Sequence, residues 1–199
     1  VFYCPTRRRV LSSPLVRISG LGIYCTSMTI PTGGRSDYAM NCGDQRRNEI
    51  FGGPDSLAQG DDPDYTGWHD TSDHTGIAYE RSEVSIANVR DGTSNTFLIG
   101  EKYINADKYA TGGDSSDNEN MYVGYDNDMY RTTAPYYNGP RQDTPGFSSP
   151  WMYGSAHAGG CNFVFCDGPQ HTVRYSIDGL TYTYLGNRKD AQAIDASKL

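Results

Sequence analysis

The stretch CNFVFCDGPQHTVRYSI, residues 161–177, predicts a β-hairpin. Phe163 and Phe165 stand two positions apart, so both side chains project from one face of a strand. Asp167 and Gly168 follow at once, and this pair supplies the positive φ angles of a tight hairpin turn. The residues after the turn are expected to return antiparallel. Pro169 lacks a backbone donor, so the second strand is expected at a sheet edge or one residue later.

His157 precedes this hairpin and is followed by Gly159 and Gly160. A histidine there can serve a reaction, a metal ion or the fold. We expect a structural role, in which a ring nitrogen ties the preceding loop to backbone carbonyls. The hairpin explains its neighbours by turn chemistry alone, and no catalytic group accompanies it in the sequence.

The composition indicates a mainly β protein, α+β at most. The chain has 199 residues, only 36% of them hydrophobic, with 23 glycines and 10 prolines. Such a chain encloses one core, so we expect one globular domain over residues 1–199, with short strands and long turn-rich loops. The expected architecture is an antiparallel sheet and a short C-terminal helix. The sixteen tyrosines suit surfaces buried against a partner.

Strands are predicted where aromatic or β-branched residues cluster between turn signals. These stretches are VFYCPT (1–6), LGIYCTSM (21–28), SDYAMNCG (36–43), TGIAYE (75–80), NTFLIGEKYI (95–104), MYVGYD (121–126), CNFVFC (161–166) and HTVRYSI (171–177). A short helical turn is predicted over residues 84–89. A helix is predicted from Asp178, as capping residue, to about Ala193, with Leu180, Tyr184 and Leu185 on one face.

Charge and hydropathy exclude some partners. The net charge of −7 argues against nucleic-acid binding, and the basic run of residues 7–9 is too short to change that. No stretch approaches the ~20 apolar residues of a membrane span.

The five cysteines occur singly, without a C-x-x-C pair that would indicate zinc or redox chemistry. In an exported protein two disulfides are expected; in a cytosolic one the thiols would be small buried apolar groups. We favour the disulfides. The candidates are Cys4, Cys25, Cys42, Cys161 and Cys166.

A second motif, DGTSNT, precedes an apolar strand that ends at Glu101. Turn chemistry explains its members, which are Asp91, Gly92, Thr93, Ser94 and Asn95. Ser94 lacks the G-x-S-x-G elbow of a nucleophile. Glu101 is expected to pair with an arginine such as Arg131 or Arg174, because a buried carboxylate needs a partner.

No cofactor is required by these motifs. Several acidic loops carry oxygen ligands of the kind that calcium prefers, although none has the spacing of an EF-hand. The preferred calcium ligands are Asp126, Asn127 and Asp128. The alternative is that these loops are simply solvated.

The motifs together resemble a family of planctomycete-type, prepilin-like surface proteins that carries a domain of unknown function. His157, nine residues and Asp167-Gly168 resemble the family's H-x9-D-G motif, and VRDGTSNTFLIGEKY (89–103) resembles its central signature. FYCPTRR, SDYAMNCG, MYVGYDNDMYR and the C-terminal IDGLTYTYLGNRKDAQAID are similar to further segments in the same order. The resemblance implies a pilin-like globular domain, secreted or at the cell surface, without enzymatic activity.

Members of that family usually begin with a prepilin cleavage site and a long apolar helix. The present sequence starts within the Cys-Pro stretch, so membrane contact is expected only through a helix that it does not contain. We expect a subunit of an extracellular filament or surface assembly, with copies of itself as partners. Residues 1–6 are expected to add to the sheet edge of a neighbouring copy.

A second function of another class stays open. A secreted carbohydrate-binding or carbohydrate-active domain would contact glycans through Trp68, Trp151 and exposed tyrosines. The carboxylates form no recognisable catalytic pair in the sequence.

Overall fold

A computed structural model of the chain describes residues 2–10, 12–14, 32–45 and 54–195. It is mainly β, as the composition predicts. The strands are β1 (Ser13–Pro14), β2 (Thr32–Gly33), β3 (Tyr38–Asn41), β4 (Phe97–Glu101), β5 (Tyr130–Arg131), β6 (Arg141–Gln142), β7 (Gly154–Ser155), β8 (Cys161–Phe165) and β9 (Gln170–Val173). The α-helices are α1 (Leu57–Gly60) and α2 (Gly179–Gly186). Within these ranges no helix has the length and apolar content to cross a bilayer.

The central sheet has five strands in the order β5-β3-β4-β8-β9. All neighbours are antiparallel except β3 and β5, which run parallel. Two further pairs, β1 with β2 and β6 with β7, form small sheets of their own. The β4–β8 register shifts between Phe97 and Ile99, which marks a bulge in β4.

The predicted hairpin is confirmed. Cys161 pairs with Val173 and Val164 with Gln170, while Phe163 and Phe165 are both buried. Only Gly168 of the Asp-Gly pair has a positive φ, +102°, and its N–H donates to the Phe165 carbonyl. Residues 166–169 connect the two strands, and a left-handed glycine closes the turn. β9 starts one residue after Pro169 and is the outermost strand, as the proline predicts.

The core lies between the sheet and α2. Phe97 of β4 stacks on Phe163 with ring centres 4.0 Å apart, and Tyr182 and Leu185 of α2 complete the cluster. Asp178 caps α2 by accepting from the Thr181 N–H at 2.9 Å, which confirms the predicted cap. The predicted apolar face is wrong, because Leu180 is 60% exposed while Tyr182 and Leu185 are buried.

Some predicted elements differ in the structure. α2 ends at Gly186 rather than near Ala193, and the turn at residues 84–89 is a 3-10 helix over Ile86–Asn88. Residues 75–80 and 121–126 form bends, turns and irregular backbone instead of strands. In the first of these, the N–H groups of Ile77 and Ala78 both donate to the Asn41 carbonyl, so no ladder can form. The predicted strand at residues 21–28 lies outside the described residues.

The strand predicted over residues 1–6 is also wrong. Residues 2–6 form irregular backbone and a turn, not a β-strand. The Phe2 carbonyl accepts from the Asp37 N–H at 2.8 Å, and the Cys4 N–H donates to the Asp37 carboxylate at 2.7 Å. This segment is therefore held by its own chain, and its contact with another copy stays a prediction.

Four of the described tyrosines lie in the core. Tyr103, Tyr130, Tyr153 and Tyr182 are each at most 1% exposed. A buried tyrosine fills as much volume as phenylalanine, and the low apolar content of the chain makes that contribution necessary. Their number does not by itself indicate an interface.

Candidate functional site

The DGTSNT motif and the hairpin loop at Asp167-Gly168 are hydrogen-bonded to each other in the structure. The Asp167 N–H donates to the Thr93 carbonyl at 3.2 Å, and the Cys166 N–H donates to the Thr96 carbonyl at 2.9 Å. Asn95 donates its side-chain amide to the Asp91 carbonyl at 3.0 Å. These contacts join the DGTSNT turn to the hairpin loop, which fits the structural role predicted for both.

Asp91 and Gly92 complete this turn. The Asp91 carboxylate accepts from the backbone N–H groups of Asp190 and Ala191, so it anchors the segment that follows α2. Gly92 has a φ of +97°, a conformation that side chains disfavour. The Thr96 hydroxyl donates to the Gly92 carbonyl at 3.1 Å, which adds a side-chain hydrogen bond within the turn.

His157 and Glu101 come together with Cys4, a residue from the other end of the chain. The Cys4 Sγ lies 3.7 Å from His157 Nε2, and His157 Nε2 lies 3.4 Å from Glu101 Oε1. The three possible ligand atoms are all within 4.8 Å of one another. We call Cys4, Glu101 and His157 the thiol–imidazole–carboxylate cluster. It is the candidate functional site.

Hydrogen bonds from neighbouring segments hold two members of the cluster in place. Glu101 ends β4, and its Oε2 accepts from the Asn162 N–H of β8 at 2.8 Å. His157 lies on the loop before β8, where the Tyr175 hydroxyl donates to its carbonyl at 2.6 Å. The His157 ring contacts a carboxylate and a thiol, so the expectation that it binds backbone carbonyls is wrong. Cys4 and Glu101 are buried, whereas the His157 side chain is 36% exposed.

Buried arginines clamp the Cys4 turn onto the sheet. The Arg7 Nε donates to Asp143 at 2.8 Å. The Arg8 guanidinium lies 2.6 Å from Asp37 and 2.5 Å from Asp117. Burial opposes the charge on Arg7, but Asp143 and Asp37 more than offset this and raise its pKa. These ion pairs hold the N-terminal segment, and Cys4 with it, against the ends of β3 and β4.

The cluster is not built as a catalytic relay. A nucleophile and an orienting carboxylate normally contact opposite ring nitrogens of the histidine, so that one nitrogen takes the proton of the nucleophile while the carboxylate holds the other. Here both Cys4 and Glu101 face the same atom, Nε2. Burial, assisted by the Glu101 charge, also raises the pKa of the Cys4 thiol, which disfavours a reactive thiolate.

The predicted arginine partner of Glu101 is wrong. The Arg131 guanidinium donates instead to the backbone carbonyls of Met152, Asn127 and Tyr130. Arg174 is exposed. Within the described residues, the Glu101 carboxylate has neither a lysine nor an arginine nitrogen within 4.0 Å, and His157 is its one possible cationic partner.

The acidic loop predicted to bind calcium forms a second cluster. Asp126 and Asp128 come together with Glu119, while Asn127 contributes its carbonyl to Arg131. Lys102 lies beside this cluster: its ammonium donates to the Asp128 carbonyl at 2.9 Å and is 4.0 Å from Asp128 Oδ1. Burial, with the charges of Asp117 and Asp126, raises the pKa of Asp128 to about 7 although Lys102 opposes this. Calcium binding here stays a prediction.

The prediction of two disulfides is wrong. Cys4, Cys42, Cys161 and Cys166 are free thiols, and Cys25 lies outside the described residues. Each described cysteine has its own surroundings. Cys42 packs with Tyr130 and Trp151, and the Cys161 and Cys166 thiols contact the backbone carbonyls of Glu101 and Phe97.

Sequence reasoning missed Cys4 as a partner of His157. The signal available was the Cys-Pro stretch followed by three arginines, an unusual combination for a solvated segment. Long arginines next to a buried cysteine indicate that the segment is packed, because buried arginines need carboxylates. The identity of those carboxylates, Asp37, Asp117 and Asp143, could not be inferred from the local sequence.

Comparison with known proteins places the chain by family alone. Neither a curated protein nor a solved structure matches it. A family model described as "Protein of unknown function (DUF1559)" matches residues 1–180, a range that contains the thiol–imidazole–carboxylate cluster and both turn motifs. The chain therefore belongs to the DUF1559 family.

Proposed function

We propose that the chain is a structural subunit that associates with copies of itself in an extracellular or cell-surface assembly, as its resemblance to prepilin-like proteins implies. The observation that supports this most is the outer edge of β9. The proposal assigns no catalytic role to the chain, in keeping with a cluster that lacks a relay.

β9 is the last strand of the central sheet, and its outer edge pairs with none of the described strands. It pairs with β8 on one side, and Gln170, His171 and Thr172 are exposed. The Phe165 N–H donates to the Pro169 carbonyl. Because an antiparallel ladder alternates, the backbone groups of Gln170 and Thr172 then point away from β8.

This edge lacks the usual protection. Proteins that stay monomeric place lysines, prolines or bulges along exposed edges. Here Pro169 stands before the strand, and Gln170 and Thr172 are neutral. An extended segment or the same edge of another copy can therefore add to the sheet through backbone hydrogen bonds. Pairing of two β9 edges would give a closed dimer, whereas pairing with a different segment would continue into a filament.

Carbohydrate binding has less support. Trp151 is 7% exposed and packs against Tyr130, so it is not a stacking platform. The guanidinium of Arg81 lies 4.5 Å from the Trp68 ring centre, and Tyr65 meets the same indole edge-on. Both tryptophans expected to contact glycans already have partners within the chain.

The test uses one exposed position of β9. Thr172→Pro removes an outward N–H and leaves the inward ladder to β8 intact, whereas Thr172→Val keeps the N–H and serves as the matched control. We expect wild type and Thr172→Val to form dimers or larger assemblies as concentration rises, and Thr172→Pro to remain a folded monomer. Light scattering, negative-stain imaging and circular dichroism measure these states. A wild-type chain that stays monomeric, or a Thr172→Pro chain that assembles equally well, would contradict the proposal.

A further inference from the structure

The buried carboxylates near the N-terminal segment differ in how their charge is balanced. Asp37 and Asp117 lie 2.6 and 2.5 Å from Arg8, and Asp143 lies 2.8 Å from Arg7. Glu101 is just as buried, at 1% exposure. Among the described residues it has only the His157 imidazole as a possible cation. A buried carboxylate with so little compensation is costly, and a bound cation would remove that cost.

The spacing of the three ligand atoms fits a tetrahedral metal centre. Zinc binds sulfur at about 2.3 Å and imidazole nitrogen or carboxylate oxygen at about 2.0–2.1 Å, which places neighbouring ligand atoms about 3.4–3.6 Å apart. The observed separations are 3.7 Å between Cys4 Sγ and His157 Nε2, and 3.4 Å between His157 Nε2 and Glu101 Oε1. All three ligand atoms also lie within 4.8 Å of one another, so Cys4 and Glu101 are on the same side of Nε2 and the three groups surround one point instead of forming a line.

The donor types select the class of ion. A thiolate, an imidazole and a carboxylate suit a borderline-soft divalent cation such as zinc. Calcium and magnesium take oxygen ligands and would leave the Cys4 sulfur unused. The partial exposure of His157 leaves room for a water molecule as the fourth ligand.

We propose that Cys4 Sγ, Glu101 Oε1 and His157 Nε2 bind one zinc ion, with solvent at the fourth position. Binding transfers the Cys4 thiol proton to the solvent, so that a thiolate, a neutral imidazole and a carboxylate face the ion. The ion joins three segments distant in sequence: the N-terminal turn, the end of β4 and the loop before β8. This inference is independent of the assembly proposed for β9.

The test measures zinc on the full chain, kept reduced, stripped with a chelator and dialysed against defined Zn²⁺ concentrations. We expect one zinc per chain in wild type and in Cys166→Ser, the matched control, whose thiol lies outside the cluster. His157→Gln should weaken zinc binding at least about 100-fold, since loss of even an outer partner costs 10–100-fold. Because His157 is partly exposed, this variant is expected to fold, and circular dichroism checks that it does.

Cobalt supplies the second measurement. Co²⁺ in the wild-type chain should show a sulfur-to-cobalt charge-transfer band and the intense visible bands of tetrahedral cobalt, and Cys4→Ser should lose the charge-transfer band. The proposal is overturned if wild type retains no zinc after dialysis, or if His157→Gln binds zinc as tightly as wild type. A cobalt complex without a thiolate band that depends on Cys4 would overturn it as well.

Discussion

Asp117→Asn tests whether the N-terminal segment is an integral part of the fold. The Asp117 carboxylate is fully buried and faces three cations: Arg8 at 2.5 Å, Lys102 at 3.1 Å and Arg35 at 3.4 Å. Burial opposes its ionisation, but Lys102 and Arg8 lower its pKa below the ordinary value, so it is charged at neutral pH. The substitution keeps the shape of the side chain and removes the charge that these cations share.

The expected cost follows from leaving buried cations without their counter-ion. Removing one partner of a buried ion pair typically costs about 3–5 kcal/mol. Total stability of a domain is about 5–15 kcal/mol, so this is a large fraction of it. For a chain of this size each kcal/mol corresponds to about 2–4 °C, which predicts a fall in Tm of about 6–20 °C.

Two measurements check this expectation. Urea denaturation gives the free energy of unfolding, and Asp64→Asn, at an exposed position, is the control that should stay within about 0.5 kcal/mol of wild type. Alkylation of Cys4, followed by peptide mass spectrometry, reports whether the N-terminal turn opens before the rest. If Asp117→Asn is as stable as Asp64→Asn and Cys4 stays protected, the ion pairs do not hold this segment and the reasoning fails.

Two further predictions concern the core and the acidic loop. Phe163→Ala should lower the free energy of unfolding by about 3–5 kcal/mol, because Phe163 is 1% exposed and stacks on Phe97. Thermal unfolding measures this loss, with Tyr122→Ala, at a position 86% exposed, as the control. A loss no larger than that of the control would contradict the prediction. In the folded chain the pKa of Asp128 is about 7, above its ordinary value of 3.8. Between these two pH values the folded chain keeps a proton that the unfolded chain releases, so this group lowers the stability of the fold as pH rises. Asp128→Asn should therefore gain stability relative to wild type between pH 4 and pH 7 in urea titrations, and a difference that does not change with pH would show that Asp128 is not the group responsible.

The parts of this protein that were predicted correctly depend on short stretches of chain. Alternation of Phe163 and Phe165, a turn that ends in glycine and a proline before β9 are enough to specify the hairpin and its place at the sheet edge. Asp178 as a helix cap follows from the same local chemistry. Strand periodicity and turn conformation depend on a few neighbouring residues, so the local sequence determines them.

Long-range contacts decided the rest. Cys4 reaches His157 across 153 positions, and the Arg8–Asp117 pair spans 109. No local pattern shows that Glu101 faces a histidine instead of an arginine, or that Tyr103 and Tyr153 fill the core. The pairs of buried charges and ligands form only when the N-terminal turn packs against β3 and β4. That packing buries the charged side chains, and a buried charge then needs a partner.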